Sequence, residues 1–243
     1  MDAVLLAGGR GRRLGPFTAV FPKPLAPVGD MPIIEILLRQ LHQHGIDRVH
    51  ISVGYLGELI EAYFLTRGGI AGLDIRYLRE TSPLGTAGPV QMLAQEGRPV
   101  LVLNGDLLTT FDFRKFIDFY ETRQPALAVA VCPRRMTVDF GVVETSPAGD
   151  VTGFREKPTL EHLCSMGINI YSPRALLAIE PDEAIDLPDL LQRMLDRGER
   201  VASYEDDCYW LDIGRRDDYE RALEEFPAMR TRLLGDADPA TGG

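Results

Sequence analysis

Basic charge is scarce in this sequence: 26 lysines and arginines stand against 36 aspartates and glutamates, a formal net charge of −10. A general nucleic-acid binder needs the opposite balance to neutralise phosphates. Nucleic acid is therefore excluded as a partner, and any positive charge that matters must be local. Cysteine is scarce too. Cys132, Cys164 and Cys208 are odd in number and far apart along the chain. They fit neither a disulfide framework nor zinc-ligand spacing, and read as reduced structural thiols of a cytoplasmic protein. No apolar run approaches the roughly 20 residues that cross a bilayer, so no membrane partner is expected. Met1-Asp2 leads straight into a strand without the basic leader and apolar stretch of a secretory signal. Linkers rich in Pro, Ser or Gly and internal repeats are also missing. The four histidines, His42, His44, His50 and His162, show no metal-ligand spacing and read as structural.

What is present is an alternation of short apolar runs with helical patterns. Ala3–Ala7, Val49–Val53, Leu73–Leu78, Val100–Leu103 and Leu127–Val131 read as strands. Pro32–His44, Leu56–Leu65, Thr86–Gln95 and Phe113–Thr122 carry helical spacing between them. This βαβα rhythm predicts an α/β fold with a mostly parallel sheet and helices on both faces. Farther on, Phe140–Glu144 and Val151–Phe154 flank a polar turn and read as a hairpin. Strands at Met166–Tyr171 and Val201–Tyr204 follow, with helices near Arg174–Ile179, Leu187–Asp196 and Asp217–Phe226. Residues 1–234 read as one domain. The end, 235–243, lacks large apolar side chains and reads as a disordered tail.

The first strand runs into Leu6-Ala7-Gly8-Gly9-Arg10-Gly11-Arg12-Arg13-Leu14. Glycines at the carboxyl end of a buried strand let the backbone approach a ligand and form an anion-binding nest. Arg10, Arg12 and Arg13 reverse the sign of the charge there, which favours an anion. The loop is not a P-loop, for no Gly-Lys-Ser/Thr follows. Nor is it a dinucleotide fingerprint: Gly15 comes one place late and precedes Pro16, and the second strand ends in Gly54 where an acidic residue would hold a ribose. In Phe21-Pro22-Lys23-Pro24-Leu25-Ala26-Pro27, alternating prolines are expected to hold Lys23 on a nearly extended backbone.

These segments, with others in the same order, resemble the sugar-1-phosphate nucleotidylyltransferases from Asp2 to about Leu223. The glycine-rich loop with Pro22-Lys23-Pro24-Leu25 resembles the family's first motif. Pro83-Leu84-Gly85-Thr86-Ala87-Gly88 resembles its base-binding loop, and Asn104-Gly105-Asp106 its metal-binding strand end. Phe140–Glu144, Glu156-Lys157-Pro158 and Met166-Gly167-Ile168 resemble the sugar-side elements, and Trp210–Gly214 the second metal-ligand motif. Each is weak alone, and together they are specific. The resemblance implies a Rossmann-like, glycosyltransferase-A-like sheet, here without the hexapeptide repeats of a C-terminal β-helix.

It also implies roles. Arg13 and Lys23 would be catalytic, on the departing phosphates and on the α-phosphate. Asp106 and Asp212 would bind one Mg²⁺, whose preference for hard oxygen ligands suits them. Leu6, Ala7, Gly8, Gly9, Gly11, Glu80, Pro83, Gly85 and Thr86 would surround the nucleotide, with Gly85–Ala87 opening a helix whose N–H groups face the ligand. Asn104, Gly141, Glu156, Lys157 and Gly167 would hold the sugar phosphate. Glu80 accepts hydrogen bonds only, and guanine offers adjacent donors, so GTP is favoured, with the guanylyltransferase branches that make GDP-mannose or GDP-heptose. Expected partners are thus a nucleoside triphosphate and a sugar 1-phosphate; a homo-oligomer stays open. UTP, dTTP or CTP with another hexose or amino-sugar phosphate is the alternative. A non-catalytic nucleotide-sugar-binding homologue should have lost Arg13, Lys23, Asp106 or Asp212, and all four are here. Two positions depart from the family pattern: Arg12 stands where threonine is common, and Ser165 where many relatives have asparagine.

Overall fold

The computed structural model describes residues 1–9, 11, 20–235 and 238. Along the chain it forms β1 (Asp2–Leu6), β2 (Pro27–Val28), β3 (Met31–Pro32), α1 (Ile33–Gln43), β4 (Arg48–Val53), α2 (Gly57–Thr66) and β5 (Asp74–Arg79). A 3₁₀ helix over Gly88–Glu96 leads to β6 (Val100–Asn104), β7 (Leu107–Thr109) and α3 (Phe113–Arg123). Then come β8 (Leu127–Thr137), β9 (Val142–Thr145), β10 (Val151–Arg155) and β11 (Thr159–Tyr171). The chain closes with α4 (Pro173–Leu176), α5 (Leu187–Asp196), β12 (Val201–Glu205), β13 (Trp210–Asp212) and α6 (Arg216–Leu234).

Seven strands make one sheet in the order β12-β8-β11-β6-β1-β4-β5. Every adjacent pair is parallel except the two made by β11, which is antiparallel to both β6 and β8. Side-chain alternation assigns the two faces. Ala3 and Leu5 of β1, Leu101 and Leu103 of β6, and Ala128 and Ala130 of β8 pack with α1, α2, α3 and α6 in one core. Val4, Val100, Val102, Leu127, Val129 and Val131 point the other way, onto the 3₁₀ helix, α4 and α5. A sheet covered on both faces buries its strands throughout, which is why these segments are apolar at nearly every position rather than every second one.

Several features differ from the sequence expectation. β8 and β11 run on past the sheet as a paired, exposed two-stranded arm reaching Thr137 and Thr159, with the β9–β10 hairpin between them. Their outer halves alternate too weakly in hydropathy to read as strand. Lys23–Leu25 close a 3₁₀ turn between extended Pro22 and Ala26, where a continuous extended run was expected. Proline fixes φ but leaves ψ open, and the Ala26 N–H bonds back to the Lys23 carbonyl. α6 continues through Pro227 to Leu234, held by burial of Phe226, Leu233 and Leu234. The cysteines, remote in sequence, are neighbours in part: Cys132 lies opposite Cys164 across the β8–β11 ladder, as free thiols. Most of the expected tail lies outside the described residues; Asp238 is buried against the Arg230 guanidinium, 2.6 Å away.

Candidate active site

From β1 the chain passes through α1 to β4 and β5 on one side, then returns to β6 on the other side of β1. Where strand order reverses in this way, the loops leaving adjacent strands part and a crevice opens at their carboxyl ends. A cleft of about 370 Å³ lies there. Leu6, Ala7, Gly8, Gly9 and Gly11 line it from the end of β1, and Asn104 and Asp106 from the end of β6. The Gly105 N–H donates to the Leu6 carbonyl at 2.9 Å, extending the β1–β6 ladder into the rim. Arg13, together with Arg10 and Arg12, lies outside the described residues.

One corner of the cleft is charged. Lys23, 8% exposed, pairs through Nζ with Asp106 Oδ2 and lies 3.9 Å from Asp212 Oδ1. The two carboxylates are 106 positions apart in sequence, and a small second sheet joins them. β13 pairs antiparallel with β7 so that Asp212 stands opposite Leu107, and the Ile213 N–H donates to the Asp106 carbonyl at 3.1 Å. Two carboxylates at one rim, with coordination positions left for phosphate and water, fit a hard divalent cation. A different grouping, Asp2, His50 and Glu96, also brings three donor side chains close together. It sits at the opposite, amino-terminal end of the strands, and Arg48 and Arg98 approach Asp2 at 3.3 and 3.6 Å. Burial there pushes the His50 imidazole pKa down. Sequence spacing had not disclosed this cluster.

Glu80, half-buried just past β5, faces the cleft with Pro83, Gly85 and Thr86. Its Oε1 accepts from the Ser52 hydroxyl at 2.6 Å and its Oε2 from the Leu84 N–H at 3.1 Å. A Cβ added to Gly8 would lie 2.3 Å from Glu80 Oε1, so glycine is what admits the carboxylate. The helix expected to open at Gly85–Ala87 begins at Gly88 and is 3₁₀. Its leading amides are not free for a ligand: Ala87 and Gly88 donate to the Ile185 carbonyl, and Thr86 to Asp186 Oδ1 at 2.8 Å. The Thr86 hydroxyl bonds the same carboxylate and accepts from the Leu187 N–H. The loop is thus clamped to the 183–187 segment, and Gly85, at φ +78°, passes where a Cβ would meet the Ile185 carbonyl at 2.6 Å.

On the other side, β11 bulges between Ser165 and Asn169, with Gly167 at φ +70°. A Cβ at Gly167 would come within 2.5 Å of Asn104 Nδ2, so the bulge seats against the cleft-lining asparagine. Trp210 braces it by donating its indole N–H to the Met166 carbonyl at 2.9 Å, under the Arg134 guanidinium. Gly141, Glu156 and Lys157 do not line the cleft; they lie on the exposed β9–β11 arm. There Glu156 Oε2 would be 3.1 Å from a Cβ at Gly141. Sequence reasoning missed Ser52, Pro24 and Asp186. Ser52 did leave a signal: a hydroxyl in an otherwise apolar buried strand must find an acceptor. For Asp186, 100 residues from the threonine it holds, the sequence carried none.

No helix among the described residues is long and apolar enough to cross a membrane. Comparison with known proteins matches residues 2–228 to the nucleotidyl transferase family model. A UTP–glucose-1-phosphate uridylyltransferase of Synechocystis is 33% identical over 92% of this chain, which spans 62% of that protein. A D-glycero-alpha-D-manno-heptose 1-phosphate guanylyltransferase of Aneurinibacillus thermoaerophilus is 31% identical over 93% of this chain and 98% of its own length. Among solved structures, HddC of Yersinia pseudotuberculosis superposes with a TM-score of 0.73 at 24% identity, covering 93% of this chain and 99% of its own. The Rossmann-like sheet, the cleft at its switch point and these matches agree: the chain belongs to the nucleotidyl transferase family.

Proposed function

We propose that this chain is a sugar-1-phosphate nucleotidylyltransferase that uses Mg²⁺, takes GTP in preference to other triphosphates, and accepts a mannose- or heptose-type sugar 1-phosphate. The observation that carries the reading is the convergence of Asp106, Asp212 and Lys23 on one rim of a cleft that Glu80 also lines. An oxygen of the sugar phosphate attacks the α-phosphorus in line; the bond from that phosphorus to the bridging oxygen breaks, and pyrophosphate leaves. Such a transfer asks for position and charge neutralisation more than covalent help. Mg²⁺ held by Asp106 and Asp212 would offset phosphate charge and orient the triphosphate.

Lys23, on its tight turn, supplies a compact cation to the α-phosphate. Asp106 holds its ammonium in place. Arg13 is assigned to the departing phosphates. Gly8, Gly9 and Gly11 let the triphosphate lie against the end of β1, and Glu80 meets the base. Asn104 and Gly167 form the wall on the sugar side, and Gly141, Glu156 and Lys157, on the arm outside the cleft lining, are assigned to the sugar phosphate. The heptose-phosphate guanylyltransferase matched along nearly its whole length supports the guanine reading. The Synechocystis uridylyltransferase favours a second one, UTP with a hexose phosphate. A matrix of five triphosphates (ATP, CTP, GTP, UTP, dTTP) against sugar 1-phosphates, read by pyrophosphate release and product mass, separates them. The first reading expects GTP with a manno-configured sugar to give the highest kcat/KM. Turnover confined to UTP and glucose 1-phosphate would replace it with the second.

A further inference from the structure

Glu80 is an unusual base reader in one respect: its carboxylate is already half used. A carboxylate has about four lone-pair positions. The Ser52 hydroxyl occupies one on Oε1 and the Leu84 N–H occupies one on Oε2. The two contacts come from different elements, one from β4 and one from the loop that follows β5. Ser52 is fully buried, so bulk water does not compete for its hydroxyl. It pairs with Leu78 in the β4–β5 ladder, and Glu80 follows two residues later on the same face of the sheet. Gly8, with no Cβ to meet Oε1, leaves that side of the carboxylate open. The carboxylate is therefore fixed at both oxygens, with one acceptor position left on each.

We propose that Ser52 is the positioning residue for base selection: its hydroxyl sets the plane of the Glu80 carboxylate so that the two remaining acceptors receive two adjacent N–H donors, the pattern of guanine. This rests on the reading of the cleft as a nucleotide site. Uracil and thymine offer a single N–H between two carbonyls, and adenine and cytosine offer an amino group beside a ring acceptor. Each of these brings a lone pair against one carboxylate oxygen. A freely rotating glutamate could turn one oxygen away and tolerate the mismatch; a pinned one cannot, and the unpaired contact is the penalty. Selectivity then comes from rejection as much as from attraction.

The test compares kcat/KM for GTP and for UTP in the wild type and in Ser52→Ala, Ser52→Cys and Glu80→Gln, with thermal unfolding of each. Ser52→Ala is expected to lower the GTP-to-UTP ratio about tenfold. The change should enter as a higher KM for GTP together with a lower KM for UTP. Ser52→Cys keeps the volume but has a weaker donor, and should fall between wild type and Ser52→Ala; it also carries the test should the alanine variant fold poorly. Glu80→Gln should lose the ratio as well. Should Ser52→Ala keep the wild-type ratio while Glu80→Gln loses it, the role of Ser52 is overturned and the guanine reading stands. Equal losses for GTP and UTP would reduce Ser52 to a packing residue and overturn the proposal. A wild type without preference for GTP would overturn both.

Discussion

Replacing Asp106 by asparagine tests the charged corner, and the structure gives its size. The change leaves an acceptor oxygen for Lys23 and removes the negative charge. The Lys23 ammonium, 8% exposed, then has the Asp212 carboxylate at 3.9 Å. That carboxylate is 41% exposed, so its attraction is largely screened. A hydrogen bond between charged groups is worth about 1.5–3 kcal/mol. Keeping a neutral version forfeits about half of that, which lowers Tm by about 2–6 °C for a chain of this size. The activity loss should be far larger. An outer-shell partner of a metal typically costs 10–100-fold when removed, and a direct ligand costs at least about 10²-fold in kcat/KM. Pyrophosphate release measured across an Mg²⁺ titration, beside a thermal melt, reads both quantities. Turnover within about threefold of wild type at saturating Mg²⁺ would remove Asp106 from the metal site. A melt lowered well beyond the expected range would show that the side chain serves the fold first.

Three further outcomes follow from the geometry. Gly8→Ala places a Cβ 2.3 Å from Glu80 Oε1; KM for the triphosphate should rise about tenfold or more with Tm little changed, and steady-state kinetics with each substrate varied checks it. Lys157→Ala should raise KM for the sugar 1-phosphate about tenfold and that for the nucleotide much less; equal effects would argue against its place on the sugar side. Glu183 lies in the segment that clamps the loop around Gly85 and Thr86, and its bidentate pair with Arg193 holds its pKa down, at about 2 against an ordinary 4.5. A depressed carboxylate stabilises the fold fully above about pH 4.5 and loses that contribution as pH falls through about 2. Denaturant midpoints between those two values should therefore fall more steeply in the wild type than in Glu183→Gln.

Much of this molecule was legible in the chain. The apolar runs of β1, β4 and β6 announced themselves because strands buried on both faces have no polar side to disguise them. The glycines at the end of β1 marked a backbone that must admit something close. Helix α5 was expected over the same span at which it occurs, Leu187–Asp196. The arm is only partly legible in the sequence because its outer strands, exposed to solvent, lack the pattern that burial imposes. The sequence places the amides of Gly85, Thr86 and Ala87 toward a ligand. Those of Thr86 and Ala87 are instead spent on Asp186 and Ile185, since local sequence says where donors are and never which distant acceptor reaches them first.

Sequence by itself determined the layers of the sheet and the chemical kinds of side chain available, because periodicity and residue type are local properties. Tertiary structure decided which of them meet. The pairing of β7 with β13 brings Asp212 beside Asp106, and the β4–β5 ladder sets Ser52 beneath Glu80. Contacts of that kind depend on strand order and register, which are settled by burying both faces of the whole sheet at once, and no single stretch of the chain contains that information.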